Sequence, residues 1–292
     1  MTTVQRSKYT GGPPTLNDRI QGFIGPLILM TICLYHHTLA LLTALIHLDI
    51  PTLTSVTRFR DQAFTRFWNA NGASLAAEMP VPLLPLLSSL SGVVLDIGPG
   101  SGEQLHRYSA SAPAVAYMYG AEPAVGLHER LRAKAEQAGL GSKYRVLACG
   151  AQPESLIPAL AKEGVLRDGR GGEGVFDAIV SVRVLCGVPR LQETVAGLYG
   201  LLKPGGRLVV CEHVVNPWRV EGGSLAARVL QTVYMLVGWK FWMGGCCLDR
   251  DTERAVREVA GKEGGEWESV KLETVNKWST VPTLVGVAVK KS

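Results

Sequence analysis

The ten-residue run at 93–102, VVLDIGPGSG, constrains this chain more than any other stretch. It begins with apolar residues around a single acid, Asp96, and ends in a glycine cluster. That pattern predicts a buried strand that turns tightly into a helix while its backbone closes on a ligand. Side chains at the glycine positions would block either the turn or the ligand, and the implied ligand carries a nucleoside. Gly98, Gly100 and Gly102 form G-x-G-x-G, not the G-x-G-x-x-G of the dinucleotide fingerprint, which counts against a dehydrogenase. Glu122 follows the next strand, where an acid can accept hydrogen bonds from both ribose hydroxyls or else mark a solvated strand end. Asp96 either contacts a cationic part of the cofactor, directly or through water, or serves only the turn.

From residue 93 onward, strand and helix signals alternate, which predicts a mostly parallel sheet with helices on both faces. Strands are expected at 93–97, 115–119, 144–148, 176–182 and 207–212, with two more at 269–275 and 284–290. Helices are expected just after Gly102, at 124–138, at 191–202 and at 225–237. The glycine-rich stretch at 167–174 reads as a surface loop, because it lacks the Lys-Ser/Thr ending of a phosphate loop. With 292 residues, 47% of them apolar, the chain can build one large α/β domain plus an appendage. A formal charge of +5 without a dense Lys/Arg block implies no nucleic-acid partner, yet tolerates an anionic lipid surface. Six cysteines (Cys33, Cys149, Cys186, Cys211, Cys246 and Cys247) lack zinc-knuckle spacing. They read as free thiols in a reducing compartment, and no metal is expected.

The N-terminal third is a different kind of sequence. Residues 1–22 are mostly polar and read as a flexible arm. Residues 23–48 contain no Asp, Glu, Lys or Arg, a length that suffices to cross a hydrocarbon core. A membrane anchor, spanning or lying in one leaflet, is therefore expected over 23–50. The other readings are a helix packed on the soluble domain and a cleaved targeting peptide. His36 and His37 sit mid-run and need hydrogen-bond partners in lipid, which weakens a simple span. Pro26 is tolerable if it falls in the first helical turn. Residues 51–85 read as a linker and helical segment: an interfacial helix, a lid over the active site, or a cap on the sheet. The catalytic domain is placed at 86–292.

The order of VLDIGPGSG, YGAEP, FDAIVSVRVLCGV and LLKPGGRLVVCEHV resembles the class I S-adenosylmethionine-dependent methyltransferases. VLCGV at 184–188, KPGGRLVVCEHV at 203–214 and GCCLDR at 245–250 resemble, more narrowly, the membrane-associated thiol methyltransferases of the methyltransferase-like group. The resemblance implies a Rossmann-like seven-stranded α/β methyltransferase fold with an N-terminal apolar helix. Its strand order would be 3-2-1-4-5-7-6, the last strand antiparallel, with S-adenosyl-L-methionine at the carboxyl ends of strands 1 and 2. Carried over, Gly98, Gly100 and Gly102 line the methionine and ribose side, Asp96 and Pro99 are further cofactor-binding candidates, and Glu122 takes the ribose hydroxyls. Pro123 begins the adenine wall. Ala151 and Gln152 occupy the third-strand loop, where many relatives place an acid; Gln152 can still accept through its amide oxygen, and Glu154 is a second candidate. Val182 to Leu185 pass beneath the methyl-donor side. Two positions depart from the subgroup: Gly244 replaces a frequent aspartate, and Thr283 a common histidine. The implied location is the endoplasmic reticulum or a lipid droplet, with the catalytic domain facing the cytosol and membrane lipid as a partner.

The expected reaction moves the sulfonium methyl group to a small, apolar acceptor, foremost a thiol. A thiol is partly ionised near neutrality and does not require a strong base. His213 is the candidate to hydrogen-bond or deprotonate the acceptor, or else a structural histidine. Leu185, Trp218, Trp239, Trp242 and Cys246 are candidates for the acceptor pocket, with core packing as the alternative for the tryptophans. An oxygen or carbon methyltransferase acting on a lipid or secondary metabolite is the second reading. A noncatalytic membrane-associated scaffold is the third.

Overall fold

Seven strands form one sheet in the order β3-β2-β1-β4-β5-β7-β6. They are β1 (Gly92–Ile97), β2 (Val115–Ala121), β3 (Tyr144–Leu147), β4 (Phe176–Val182), β5 (Leu202–His213), β6 (Trp267–Val275) and β7 (Thr283–Lys290). The computed structural model describes residues 14–77, 79–166 and 174–292. The expected loop at 167–174 therefore falls, except for Gly174, outside the described residues, as do residues 1–13 of the expected arm. β1 to β5 pair in parallel, and β7 runs antiparallel between β5 and β6. The expected strand order and fold class are thereby met.

The central strands are buried on both faces, which is why they read as continuous apolar runs. On β5, Leu208 and Val210 face one core layer, and Val209 and Cys211 face the other. The pairing of β4 with β5 jumps between Phe176 and Ala178, so Lys203–Pro204–Gly205–Gly206 bulges out before the continuous ladder. Helices α6 (Pro153–Lys162), α7 (Leu191–Leu201) and α10 (Thr252–Lys262) cover the first layer. The helices α4 (Leu83–Ser88) and α5 (His128–Gln137) cover the second. Instead of the helix expected after Gly102, the chain makes turns and a short 3-10 segment, Leu105–Tyr108. Positive φ at Gly98, Gly100 and Gly102 keeps the backbone out of α geometry there.

The N-terminal helix, α1 (Leu16–Ile46), begins before Phe23, so residues 16–22 are not a flexible arm. A capping box sets its start: Thr15 Oγ accepts from the Asp18 amide, and Asp18 accepts from the Thr15 amide. Pro26 consequently lies inside the helix, not in its first turn. Proline there leaves the carbonyl four residues earlier without its helical donor. That carbonyl, Gly22 O, accepts instead from Thr280 N at 3.2 Å and from Thr280 Oγ1 at 2.6 Å. A Cβ at Gly22 would sit 2.3 Å from the Trp278 ring, so the close approach requires glycine. Tyr234 Oη donates to Phe23 O nearby. The helix is thus fastened to the β6–β7 connection and to α8 (Leu225–Leu236).

Its inner face, Cys33, His36, His37, Ala40 and Ala44, is buried. It packs on α2 (Ile50–Leu53), α3 (Val56–Ala77) and α9 (Trp239–Trp242). His36 Nε2 meets Asn71 Nδ2 at 3.1 Å, and His37 Nδ1 meets Cys33 O at 2.8 Å. Each mid-run histidine therefore finds one partner in protein, while His36 Nδ1 and His37 Nε2 are buried without one among the described residues. By length and composition the helix could cross a membrane.

Candidate active site

Three left-handed glycines shape the turn after β1, with φ of +58° at Gly98, +61° at Gly100 and +82° at Gly102. A Cβ on Gly98 would come within 2.5 Å of Val184, and one on Gly100 within 2.7 Å of Trp68 Nε1. Glu122, buried at the end of β2, ties into the same turn. One carboxylate oxygen accepts from the Gly100 amide at 2.8 Å, the other from the Ala124 amide at 2.8 Å. Burial pushes its carboxyl up against these two hydrogen bonds. Pro123 beside it is exposed, Ala151 is buried, and Gln152 occupies the N-cap position of α6 without a side-chain capping bond. Glu154 is engaged elsewhere, in an exposed ion pair with Arg190.

Below the turn, Asp96 is clamped by two tyrosines. Tyr144 Oη donates to one of its oxygens at 3.2 Å, and Tyr108 Oη approaches the other at 3.4 Å. Gly120 makes room, because a Cβ there would lie 2.3 Å from Tyr144 Oη. Burial raises the Asp96 carboxyl to about 7, and the two tyrosine hydrogen bonds only partly offset it. A folded-state pKa above the usual 3.8 means that the folded chain holds this proton more tightly than the unfolded chain. The contribution to stability is present at low pH and is lost as pH rises through about 7. Asp96→Asn should therefore gain on the wild type, by on the order of 4 kcal/mol between acidic and mildly alkaline pH. Urea unfolding of both proteins across that range checks this; parallel pH profiles would contradict it.

The cleft beside the turn is lined by Trp68, Met79, Asp96, Pro99, Tyr108 and Val182, among others, and encloses about 30 Å³. That is room for about two waters. It is small because α3 lies across the turn with the Trp68 indole on Gly100. Arginines hold the end of α3 in place: Arg183 Nη1 donates to Leu75 O and Arg107 Nη2 to Ala76 O. The Trp68 indole N–H is buried without an acceptor among the described residues. An orphaned donor over a cradle that only glycine permits is what a polar, nucleoside-bearing ligand would complete.

On the acceptor side, three segments meet. His213 ends β5, Cys186 follows β4, and Cys246 follows α9. Cys246 Sγ lies 3.6 Å from His213 Nδ1. The Cys186 thiol donates to Cys246, and His213 lies against it too; together they hold the Cys246 thiol well below its usual range. Cys186, donor to Cys246 and buried, keeps its proton. Trp239 is buried in the same cluster. The other candidates are placed differently. Leu185 is packed in the main core with Val188 and Leu191. Trp218 is 38% exposed with Arg219 over its ring. Trp242 packs edge-on against His37 of α1. Gly244 faces Phe64, whose ring would be 2.6 Å from a Cβ there, so α3 leaves no space for an aspartate. Thr283 is buried and pairs with His213 across the β5–β7 ladder.

One residue that carries much of this geometry escaped the sequence reading. Glu212 is fully buried on β5 and accepts from Ser181 Oγ at 2.6 Å, Val184 N at 3.0 Å and Cys186 N at 3.1 Å. It fixes the loop after β4, beside the glycine turn. The visible signal was an acid inside the apolar run VVCEHV.

A sheet of this order, with its reversal point beside a left-handed glycine turn and a buried acid after β2, defines the class I S-adenosylmethionine-dependent methyltransferases. The chain belongs to the methyltransferase-domain family, whose pattern it matches over residues 60–253. That domain is the S-adenosylmethionine-dependent methyltransferase domain. It is 32% identical over 122 residues to thiol S-methyltransferase TMT1B of Homo sapiens, across 40% of this chain and 45% of that protein. The Rattus norvegicus protein of the same name is 33% identical over 117 residues, 39% of this chain and 44% of that one. The aligned stretches thus span less than half of either relative. An O-methyltransferase family protein from Burkholderia thailandensis shares the fold at a TM-score of 0.53 and 16% identity, over 90% of this chain and 72% of that one.

Proposed function

We propose that this chain methylates the sulfur of a small apolar thiol. The observation that carries the reading is His213, held beside Cys246 and the buried Trp239 at the carboxyl end of β5. The bound cofactor supplies an electrophilic sulfonium methyl group. Gly98, Pro99, Gly100 and Gly102 bring backbone close to it, and Val182 lines its donor side. Each Glu122 oxygen accepts one backbone amide and keeps a lone pair for a ribose hydroxyl. Pro123, Ala151 and Gln152 border the adenine, and Asp96 stays below the turn with its tyrosines. Trp68 must leave Gly100 for the cofactor to reach the turn, so α3 acts as a lid that excludes water.

With Gly244 and Thr283 in place of an aspartate and a histidine, His213 is the remaining group to orient or deprotonate the acceptor. A thiol needs little help to ionise. The thiol names of the relatives in Homo sapiens and Rattus norvegicus agree with this acceptor class. A panel of small thiols, phenols and lipid hydroxyls, assayed with labelled cofactor, tests the proposal. Methylated thiols are expected; turnover of phenols or lipids without thiols would replace it with the oxygen-acceptor reading.

The same reading places the protein on a membrane with α1 in the plane of one leaflet. The inner face of α1 is docked along the domain, while Ile24, Ile28, Leu41 and Leu45 face outward. Val229 and Val233 of the neighbouring α8 extend the apolar surface. Two helices side by side, each docked on the domain along one face and apolar on the other, suit a leaflet better than a crossing. All six cysteines are free, in keeping with a cytosol-facing domain on the endoplasmic reticulum or a lipid droplet. The protein should float with phosphatidylcholine vesicles, and Leu41→Glu with Val229→Glu should release it into the aqueous fraction. Flotation unchanged by the pair of substitutions would reject this surface.

A further inference from the structure

The sulfur and nitrogen atoms of Cys186, His213 and Cys246 lie within 4.8 Å of one another. No spacing rule links them, because they come from three segments far apart in the sequence. From this juxtaposition we propose a metal site: a zinc-type divalent cation held by Cys186 Sγ, Cys246 Sγ and His213 Nδ1.

The geometry fits such an ion. Zinc binds thiolate sulfur at about 2.3 Å and imidazole nitrogen at about 2.1 Å, which sets tetrahedral ligands about 3.6 Å apart. Cys246 Sγ and His213 Nδ1 are 3.6 Å apart. Two soft thiolates and an imidazole select zinc over magnesium or calcium, which take oxygen ligands. The charges also fit. Two thiolates neutralise a divalent ion, while the buried Glu212 carboxylate and Arg250, which donates to Leu185 O, offset each other nearby. A disulfide between the two cysteines would leave the imidazole without a part.

The scaffold around the three atoms is built rather than incidental. The Cys247 amide donates to Cys186 O at 2.8 Å, tying the two cysteine loops together. Gly187 and Gly245 let their backbones touch, with a Cβ on Gly245 only 3.3 Å from Gly187 O. Glu212 fixes the Cys186 amide from below. Backbone and carboxylate contacts of this kind orient metal ligands. Three protein ligands leave a fourth position open, as in catalytic zinc sites. Where the acceptor is a thiol, that open position is where its sulfur would bind, a consequence that rests on the proposed function. With the ion bound, His213 Nδ1 is a ligand and no longer a base.

The test is made on the full-length protein without acceptor, so its outcome is independent of which acceptor is methylated. Protein stripped with a chelator and titrated with Zn²⁺ should retain one equivalent, and zinc-edge X-ray absorption should find two sulfurs and a nitrogen from the chain. Titration with Co²⁺ should give a thiolate-to-cobalt charge-transfer band. Cys186→Ser and Cys246→Ser should each lose that band, whereas Cys247→Ser and Cys33→Ser should keep it. A metal shell of oxygen and nitrogen alone, no retained ion, or a Cys186–Cys246 disulfide in the untreated protein would overturn the proposal. The absorption measurement on unaltered protein decides the matter even if the serine variants fail to fold.

Discussion

Gly98→Val should weaken S-adenosylmethionine binding by about 100-fold or more while leaving a folded protein. At φ +58° a valine carries backbone strain, and its Cβ would fall 2.5 Å from the Val184 side chain. The strain costs about 1–3 kcal/mol, which a domain of this size survives. The displaced Val184 has little freedom to retreat, because Glu212 accepts its amide at 3.0 Å. Relief must come from the turn itself, whose amide at Gly100 is tied to Glu122. Losing two backbone hydrogen bonds to the cofactor, at about 1.4 kcal/mol each, lowers affinity about 100-fold. Calorimetry with S-adenosylmethionine should therefore show affinity reduced by about that factor or more. Gly261→Ala, in a helix with no neighbour near its Cβ, should bind like the wild type. Near-normal affinity in Gly98→Val would mean that the cofactor does not rest on this turn.

The turn was legible because its constraint is local: strand, acid and glycines occur within ten residues. The sheet was legible for a similar reason, since strands buried on both faces leave apolar runs such as AIV and LVVC. α10 had a readable start, with Asp251 accepting from the Arg254 amide, yet its polar face concealed it among charges. α6 was concealed by Pro153 and Pro158. What could not be read depends on contacts made across the fold. The tyrosine clamp on Asp96 joins β1 to a 3-10 turn and to β3. The course of α1 depends on Thr280, which meets Gly22 from the far end of the chain. Among the acceptor-side candidates, Leu185 packs in the main core and Trp242 against His37, placements the sequence could not distinguish because apolar residues at a site look the same as apolar residues in a core. His213 and Cys246 came together because β5 and the loop after α9 end on the same side of the sheet.

Glu212 should prove the most costly of the buried carboxylates to remove. It gathers the Ser181 hydroxyl and the Val184 and Cys186 amides around one fully buried group. Burial raises its carboxyl, and these hydrogen bonds pull it back down. Glu212→Ala leaves three donors without an acceptor in a place water does not reach, at a cost of about 3–5 kcal/mol. Glu212→Gln keeps one accepting oxygen but turns an amide N–H₂ toward other donors, so it should recover only part of that loss. Chemical unfolding should rank the proteins wild type, Gln variant, Ala variant. The loop after β4 should loosen before the sheet does, because Glu212 holds its amides while β4 itself remains paired on both sides. Maleimide labelling of Cys186 under native conditions should then accelerate in both variants and most in Glu212→Ala. Equal destabilisation by Gln and Ala would assign the role of Glu212 to packing volume. A Cys186 that stays unreactive in both would show that the loop is held by contacts other than this carboxylate.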